Sequence, residues 1–184
     1  MKMDLVSSVI LCEVGPRDGL QNEKTILSKE DKIRLIDQAS DAGFPVIEVG
    51  SFVSPKAVPQ MADTDELFKR IGEIPEGVEL RALIPNTRGV QRAIDCGCKK
   101  VKLNVSASRM HNLKNLNRTP EESVAGFADC VKMANENKIA ISGSISMHST
   151  TLTFSLGSSL FFLLIYLSIF SNCDVILVIS FSYK

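Results

Sequence analysis

The stretch EVGPRDGLQNE, Glu13 to Glu23, places an arginine and an aspartate side by side directly after an apolar segment. Asp18 offers the hard carboxylate oxygen that Mg²⁺ or Mn²⁺ takes as a ligand. Arg17 carries N–H donors able to polarise a carbonyl or stabilise a developing enolate. The glycines on either side allow backbone to come close to a ligand. Glu48, in VIEVG, and Ser51 just beyond it add a second acid and a hydroxyl that point to the same rim. An ordinary solvated turn accounts for Gly-Pro-Arg-Asp-Gly equally well, because Pro, Asp and Gly dominate turns. Spacing alone leaves both open.

Other residues with reactive side chains are few. There are two histidines, His111 and His148, and five cysteines. Cys96 and Cys98 form a C-x-C, but a metal site of that type usually needs a second pair. An odd cysteine count with no secretory signal indicates reduced thiols in a cytosol-like compartment. Only 14 residues precede Gly15, too few for a transit peptide and a first strand together. A cytoplasmic location is therefore expected. Lys plus Arg and Asp plus Glu each number 21, and a net charge of zero argues against a groove that binds nucleic acid through phosphates.

The elements that must position these residues alternate regularly up to His148. Val9 to Val14 reads as a strand. Ser28 caps a helix striped by Ile33, Leu35, Ile36 and Ala39 and ended by Gly43. Val46 to Gly50 is a second strand, followed by the Pro-broken loop SFVSPKAVPQ and a short helix over Asp63 to Ile71. Leu80 to Ile84 is a third strand, and the helix after it stops at Gly97. Val101 to Val105 is a fourth strand, followed by the polar loop SASRMHNLKNLNR. Thr119-Pro120-Glu121-Glu122 starts a strong helix, and Ile139 to Ile145 is a fifth strand. Four β-α units and one more strand predict a parallel α/β sheet with its functional loops at the strand C-terminal ends. An eight-fold barrel takes about 250 residues, so this pattern covers roughly half of one.

The blocks VGPRDGLQNE, IEVGSFVSPKAVPQMAD and SASRMHNLKNLNRT resemble the 3-hydroxy-3-methylglutaryl-CoA lyase family, in that family's order and at the ends of strands one, two and four. Related synthases of the superfamily usually continue Arg-Asp-Gly with Glu-Gln, whereas Leu20-Gln21-Asn22-Glu23 stands here, which favours the lyase branch. The resemblance runs from about Ile10 to Met147. It implies a partial (β/α)₈ barrel, the first four β-α units plus a fifth strand. It also implies a divalent metal, Mg²⁺ or Mn²⁺, and an acyl-CoA substrate cleaved to acetyl-CoA and acetoacetate. By this resemblance Asp18 is a metal ligand and Arg17 holds the thioester or enolate oxygen. Glu48 joins the network at the reacting centre as a catalytic group, with Gln21, Ser51 and Asn86 on the substrate.

The family completes its metal site with a later His-x-His and an Asn, and supplies a Cys on a Gly-rich loop as proton donor. No H-x-H occurs in this chain, and Cys173 lies in SNCDVILV without such glycines. These departures lead to the expectation of a truncated member with impaired lyase turnover. A non-catalytic half-barrel and a related acyl-CoA lyase or synthase are the alternatives. An unpaired sheet edge would favour a homodimer.

Residues 1–148 carry 40 of the 42 charged residues, and residues 149–184 only Asp174 and Lys184. The chain thus divides into a lyase-like half-barrel, 1–148, and a hydrophobic tail, 149–184. Leu152 to Phe170 has no charge and is long enough for a membrane span, but it contains Gly157 and lacks a flanking basic cluster. A pair of strands covering the open sheet edge is a second reading of the tail. Translated non-coding sequence is a third, and the abrupt composition change favours it.

Overall fold

The computed structural model describes residues 10–71, 75–146 and the backbone of Val175–Ile176. Among the described residues six strands form one sheet: β1 (Cys12–Glu13), β2 (Val46–Ser51), β3 (Glu79–Leu83), β4 (Lys100–Ser106), β5 (Ala140–Ser146) and β6 (Val175–Ile176). Their spatial order is their chain order, and every neighbouring pair is parallel. Between them run α1 (Lys29–Asp41), α2 (Thr64–Arg70), α3 (Thr87–Asp95), α4 (Arg109–Leu116) and α5 (Pro120–Glu136). An open doubly wound sheet reverses its strand order partway. This one never does, so the chain winds in one direction as a (β/α)₈ barrel does, and forms an arc of it.

Strand alternation separates the two faces of the arc. Ile47 and Val49 pack with Ile36 and Ala39 of α1 and Leu67 of α2. Ala82, Val101, Leu103, Val105, Ile141 and Ile145 pack with Val90 and Ala93 of α3 and Val124, Phe127 and Ala134 of α5. The other face is polar yet buried: Glu48, Arg81, Lys102, Ser142 and Ser144 all fall there. A barrel strand is buried on both faces, so these polar groups need partners inside the arc.

The helix boundaries follow local chemistry. The Ser28 side chain accepts from Asp31 N at 3.1 Å, capping α1. Thr119 and Glu122 form a reciprocal capping box on α5, with Pro120 at its first position. After α3, Gly97 takes φ = 78°, the left-handed turn that glycine adopts without strain.

Two elements differ from expectation. The strand expected over Val9 to Val14 is only Cys12–Glu13 where described, because the Val14 carbonyl leaves the ladder and accepts from the amides of Arg17, Asp18 and Gly19. The expected polar loop after β4 contains α4, capped by Ser108 and closed by Asn117 in the left-handed conformation (φ = 52°). No apolar stripe anchors α4. Its buried residue is Asn112, which accepts from Ser106 N at 3.0 Å and donates to Arg118 O at 2.9 Å and Ser123 Oγ at 2.8 Å. A helix held by an amide leaves no periodic signal.

Among the described residues no helix is long and apolar enough to cross a membrane, and the segment 152–170 lies outside them. Of the tail, the backbone of Val175–Ile176 runs parallel beside Gly143 and Ser144.

The middle of β2 depends on a close approach. A Cβ on Gly50 would lie 2.6 Å from Thr64 Oγ1 and 2.9 Å from Thr64 Cγ2, and Thr64 is fully buried. Gly50→Ala should therefore cost about 1–3 kcal/mol, read as a lowered urea midpoint with unchanged slope. An unshifted midpoint would show that Thr64 can yield.

Candidate active site

The loop after β1 is built around one carbonyl. Gly15–Gly19 makes a single wide π-type turn, with Pro16 setting its entry. The amides of Arg17, Asp18 and Gly19 all point at Val14 O, at 3.1, 2.7 and 3.4 Å. Gly15 N donates to Glu13 Oε1 at 2.5 Å. Asn22 Nδ2 donates to Asp18 O at 2.7 Å and closes the loop from the other side. The neighbouring loop is clipped to it: Gln60 Nε2 donates to Glu23 O, and Lys32 Nζ donates to Gln60 O and Asp63 Oδ1. Both loops stand at the C-terminal ends of their strands, the rim where barrel chemistry takes place.

At the centre is Glu48, with no exposed surface. Arg17 Nε donates to Glu48 Oε1 at 2.5 Å, and Lys102 Nζ donates to Oε2 at 2.5 Å. Burial alone would raise the Glu48 pKa, but the charges and hydrogen bonds of Arg17 and Lys102 outweigh it and hold the carboxyl below its ordinary value. Arg17 Nη1 in turn donates to Asp18 Oδ1. Two of the three guanidinium nitrogens are thereby fixed. Nη2 makes no hydrogen bond among the described residues, so its two N–H groups remain for an incoming oxygen.

Ser51 reaches this face through a bulge. Glu48 lies beside Arg81 in the register with β3, but Gly50 lies beside Ala82 and Ser51 beside Leu83. In a regular strand Glu48 and Ser51 would face opposite ways. The extra residue turns Val49 and Gly50 both toward the helices and returns Ser51 to the side of Glu48. Ser51 is fully buried, with Oγ 3.4 Å from Leu83 O.

The remaining candidates are placed differently. The Asn86 side chain accepts from Gly89 N at 3.2 Å and caps α3. Gln21 is half-buried and makes no side-chain hydrogen bond among the described residues. Asp18 is the one acid at Arg17 whose side chain is largely exposed. His111 lies beyond β4, with Nδ1 3.0 Å from Ser106 Oγ and Nε2 3.0 Å from Asn115 Nδ2. His148 and Cys173 fall outside the described residues. Sequence reasoning missed Lys102. Its signal was present: Lys100, Lys102, Asn104 and Ser106 alternate with Val101, Leu103 and Val105 in a strand that must be buried on both faces.

A singly wound parallel arc with an oriented arginine at its C-terminal rim defines a chain of the (β/α)₈-barrel enzyme class. The comparisons with known proteins make this specific. The HMGL-like family profile matches residues 8–158, and the chain belongs to that family, whose named relatives are carbon-carbon lyases. It is 45% identical over 144 residues to the 3-hydroxy-3-isohexenylglutaryl-CoA/hydroxy-methylglutaryl-CoA lyase of Pseudomonas aeruginosa, covering 78% of this chain and 48% of that one. It is 47% identical over 142 residues to the mitochondrial hydroxymethylglutaryl-CoA lyase of Macaca fascicularis, covering 77% and 43%. The chain thus spans about half the length of the curated relatives it matches. Among solved structures, the hydroxymethylglutaryl-CoA lyase of P. aeruginosa superposes with a TM-score of 0.84 at 37% identity, covering 95% of this chain and 59% of that one. An HMG-CoA lyase from Acinetobacter baumannii, in complex with coenzyme A and 3-methylmalate, superposes with a TM-score of 0.82 at 35% identity, covering 91% and 55%.

Because the folded-state pKa of Glu48 is lowered, its ionised form adds stability above the unfolded value of about 4.3. That stability is lost as pH falls toward the lowered folded value. Glu48→Gln should cost roughly 3 kcal/mol at pH 7 by leaving the buried Lys102 without its carboxylate and removing one of the two acids on Arg17, and the gap to the parent should narrow at pH 3. Urea midpoints at the two pH values measure it. A gap that does not change with pH would mean that folding does not shift the Glu48 pKa.

Proposed function

We propose that this chain forms the substrate-holding half of a carbon–carbon lyase site that takes 3-hydroxy-3-methylglutaryl-CoA toward acetyl-CoA and acetoacetate. The observation that carries this reading is the guanidinium of Arg17, fixed through Nε and Nη1 with Nη2 left open at the rim. Cleavage of the substrate's C–C bond begins with transfer of the tertiary hydroxyl proton to a base and ends with return of a proton to the enolate carbon of acetyl-CoA. Between these two proton transfers the bond breaks, and the electron pair moves onto the thioester as an enolate. The charge that grows on that oxygen needs donors already in place. Arg17 Nη2 supplies two, in an orientation that the substrate does not have to create.

Glu48 is fully buried and already bonded to two cations. Its part in this reading is to orient Arg17, not to take a proton from substrate. Ser51, Gln21 and Asn86 are left as groups for the substrate's polar atoms, Asn86 through the amide nitrogen that its capping bond does not use.

Mg²⁺ or Mn²⁺ is the ion the family resemblance brings, and Asp18 is the residue here that would face it. Asp18 Oδ1 is already engaged by Arg17, and no group of three His, Cys, Asp or Glu able to hold an ion occurs among the described residues. One half-engaged carboxylate does not by itself fit a divalent ion that wants six oxygens. This favours a second reading in which the chain binds the acyl-CoA without efficient turnover.

Calorimetric titration with 3-hydroxy-3-methylglutaryl-CoA tests the site directly. Arg17→Met should weaken binding by roughly tenfold to a hundredfold, the loss expected for a charge-assisted donor. Equal affinity of parent and variant would overturn the assignment of Arg17. Acetoacetate release with Mg²⁺ present decides between the two readings. Turnover matching a full-length relative would remove the second, and binding without release would establish it.

A further inference from the structure

We propose that Lys102 is a positioning residue of this site: by occupying one oxygen of Glu48 it fixes the other on Arg17 Nε, and so sets the direction of the open Nη2 donors. The inference rests on the reading of Arg17 as the oxygen-binding group and extends it to a residue on the fourth strand.

The geometry comes from how a barrel fills its interior. Alternate strands contribute the side chains of one layer. Glu48 on β2 and Lys102 on β4 are therefore layer neighbours across the intervening β3, and their 2.5 Å contact spans it. Lys102 is itself buried, and Glu48 is the only acid in ion-pair contact with it among the described residues. Ser142, its neighbour in register on β5, does not compete, since its hydroxyl lies 3.4 Å from Val101 O. Lys102 Nζ makes no other hydrogen bond among the described residues.

Removing this ammonium would leave Glu48 Oε2 buried without a donor. With that anchor gone the carboxyl is free to turn about its Cγ–Cδ bond, and Oε1 is no longer held end-on against Arg17 Nε. With Lys102 in place, Oε2 is occupied and only Oε1 is offered, so Arg17 meets it end-on through Nε. Asp18 then holds Nη1, and Nη2 is what remains. A lysine two strands away thus decides which edge of the arginine faces the substrate.

The test reads the Arg17 side chain itself and needs no substrate. In the ¹⁵N-labelled full chain, the Arg17 Nε–H signal, assigned by its loss in Arg17→Lys, should be resolved and protected from exchange by Glu48. Lys102→Gln and Lys102→Met, each checked for dispersed backbone amide signals, should speed exchange of this proton by roughly tenfold or more. Lys102→Arg keeps the charge and should hold the rate within about threefold of the parent. A folded Gln or Met variant with the parent's shift and rate overturns the proposal. So does a folded Arg variant that loses the signal, because charge at this position would then not be what orients Arg17. A merely structural role for Lys102 would lower stability in the variants and leave this signal in place. A parent protein that shows the protected signal but binds no acyl-CoA would sink the functional reading alone and leave this one standing.

Discussion

A carboxylate with no access to water has to find its counter-charge inside the protein. Glu48 sits in the middle of β2 with both oxygens used, one by Arg17 and one by Lys102. That requirement joins the loop after β1 to the interior of β2 and β4. The wide turn at Gly15–Gly19 serves the same requirement: three amides converge on Val14 O, and Arg17 starts from there toward Glu48. The requirement also explains why the adjoining loop is clipped down through Gln60 and the buried Lys32. If Glu48 were neutral, none of these features would have a charged centre to serve.

The rest of the arc supplies the rigid frame. Its helix-facing side is an ordinary apolar core, with α3 and α5 covering β3 to β5 and α1 and α2 covering β2. Its inner side is lined by charged and small polar groups, among them Arg81, Ser142 and Ser144, with Ser144 Oγ donating to Asn104 Oδ1 at 2.9 Å. The bulge at Val49–Gly50 lets one short strand present both an acid and a hydroxyl to that inner side. Burial of the thiols fits the same division. Cys98 and Cys130 lie in the apolar core, where burial pushes their pKa up to about 12 and about 11. They are packing groups and not nucleophiles.

Much of the fold was legible because its signals are local. Ser28, the Thr119 capping box and Gly97 mark real helix ends. The β-α alternation led to a parallel sheet, and the resemblance of three strand-end blocks to one family led to the barrel. The features that escaped depend on contacts between distant residues. α4 is held by the amide of Asn112, which carries no periodicity. The bulge in β2 shows in sequence only as a glycine inside a strand. Lys102 was visible as one of several alternating polar residues, but nothing local says that its partner is 54 positions earlier. Of the site candidates, Arg17, Asp18 and Glu48 form one connected cluster, and Ser51 shares the face of Glu48. Asn86 spends its side-chain oxygen on the cap of α3, and its amide nitrogen takes no part in that bond.

In the proposed reading Glu48 meets the substrate only by way of Arg17. The most direct measurement is a double-mutant cycle on the affinity for 3-hydroxy-3-methylglutaryl-CoA, using Arg17→Met, Glu48→Gln and the two together. The account predicts strong coupling, about 1–3 kcal/mol, with Glu48→Gln making no further difference once Arg17 is gone. Losses that simply add would mean that the two residues meet the substrate independently, and that the clamp seen around Arg17 is not what presents it.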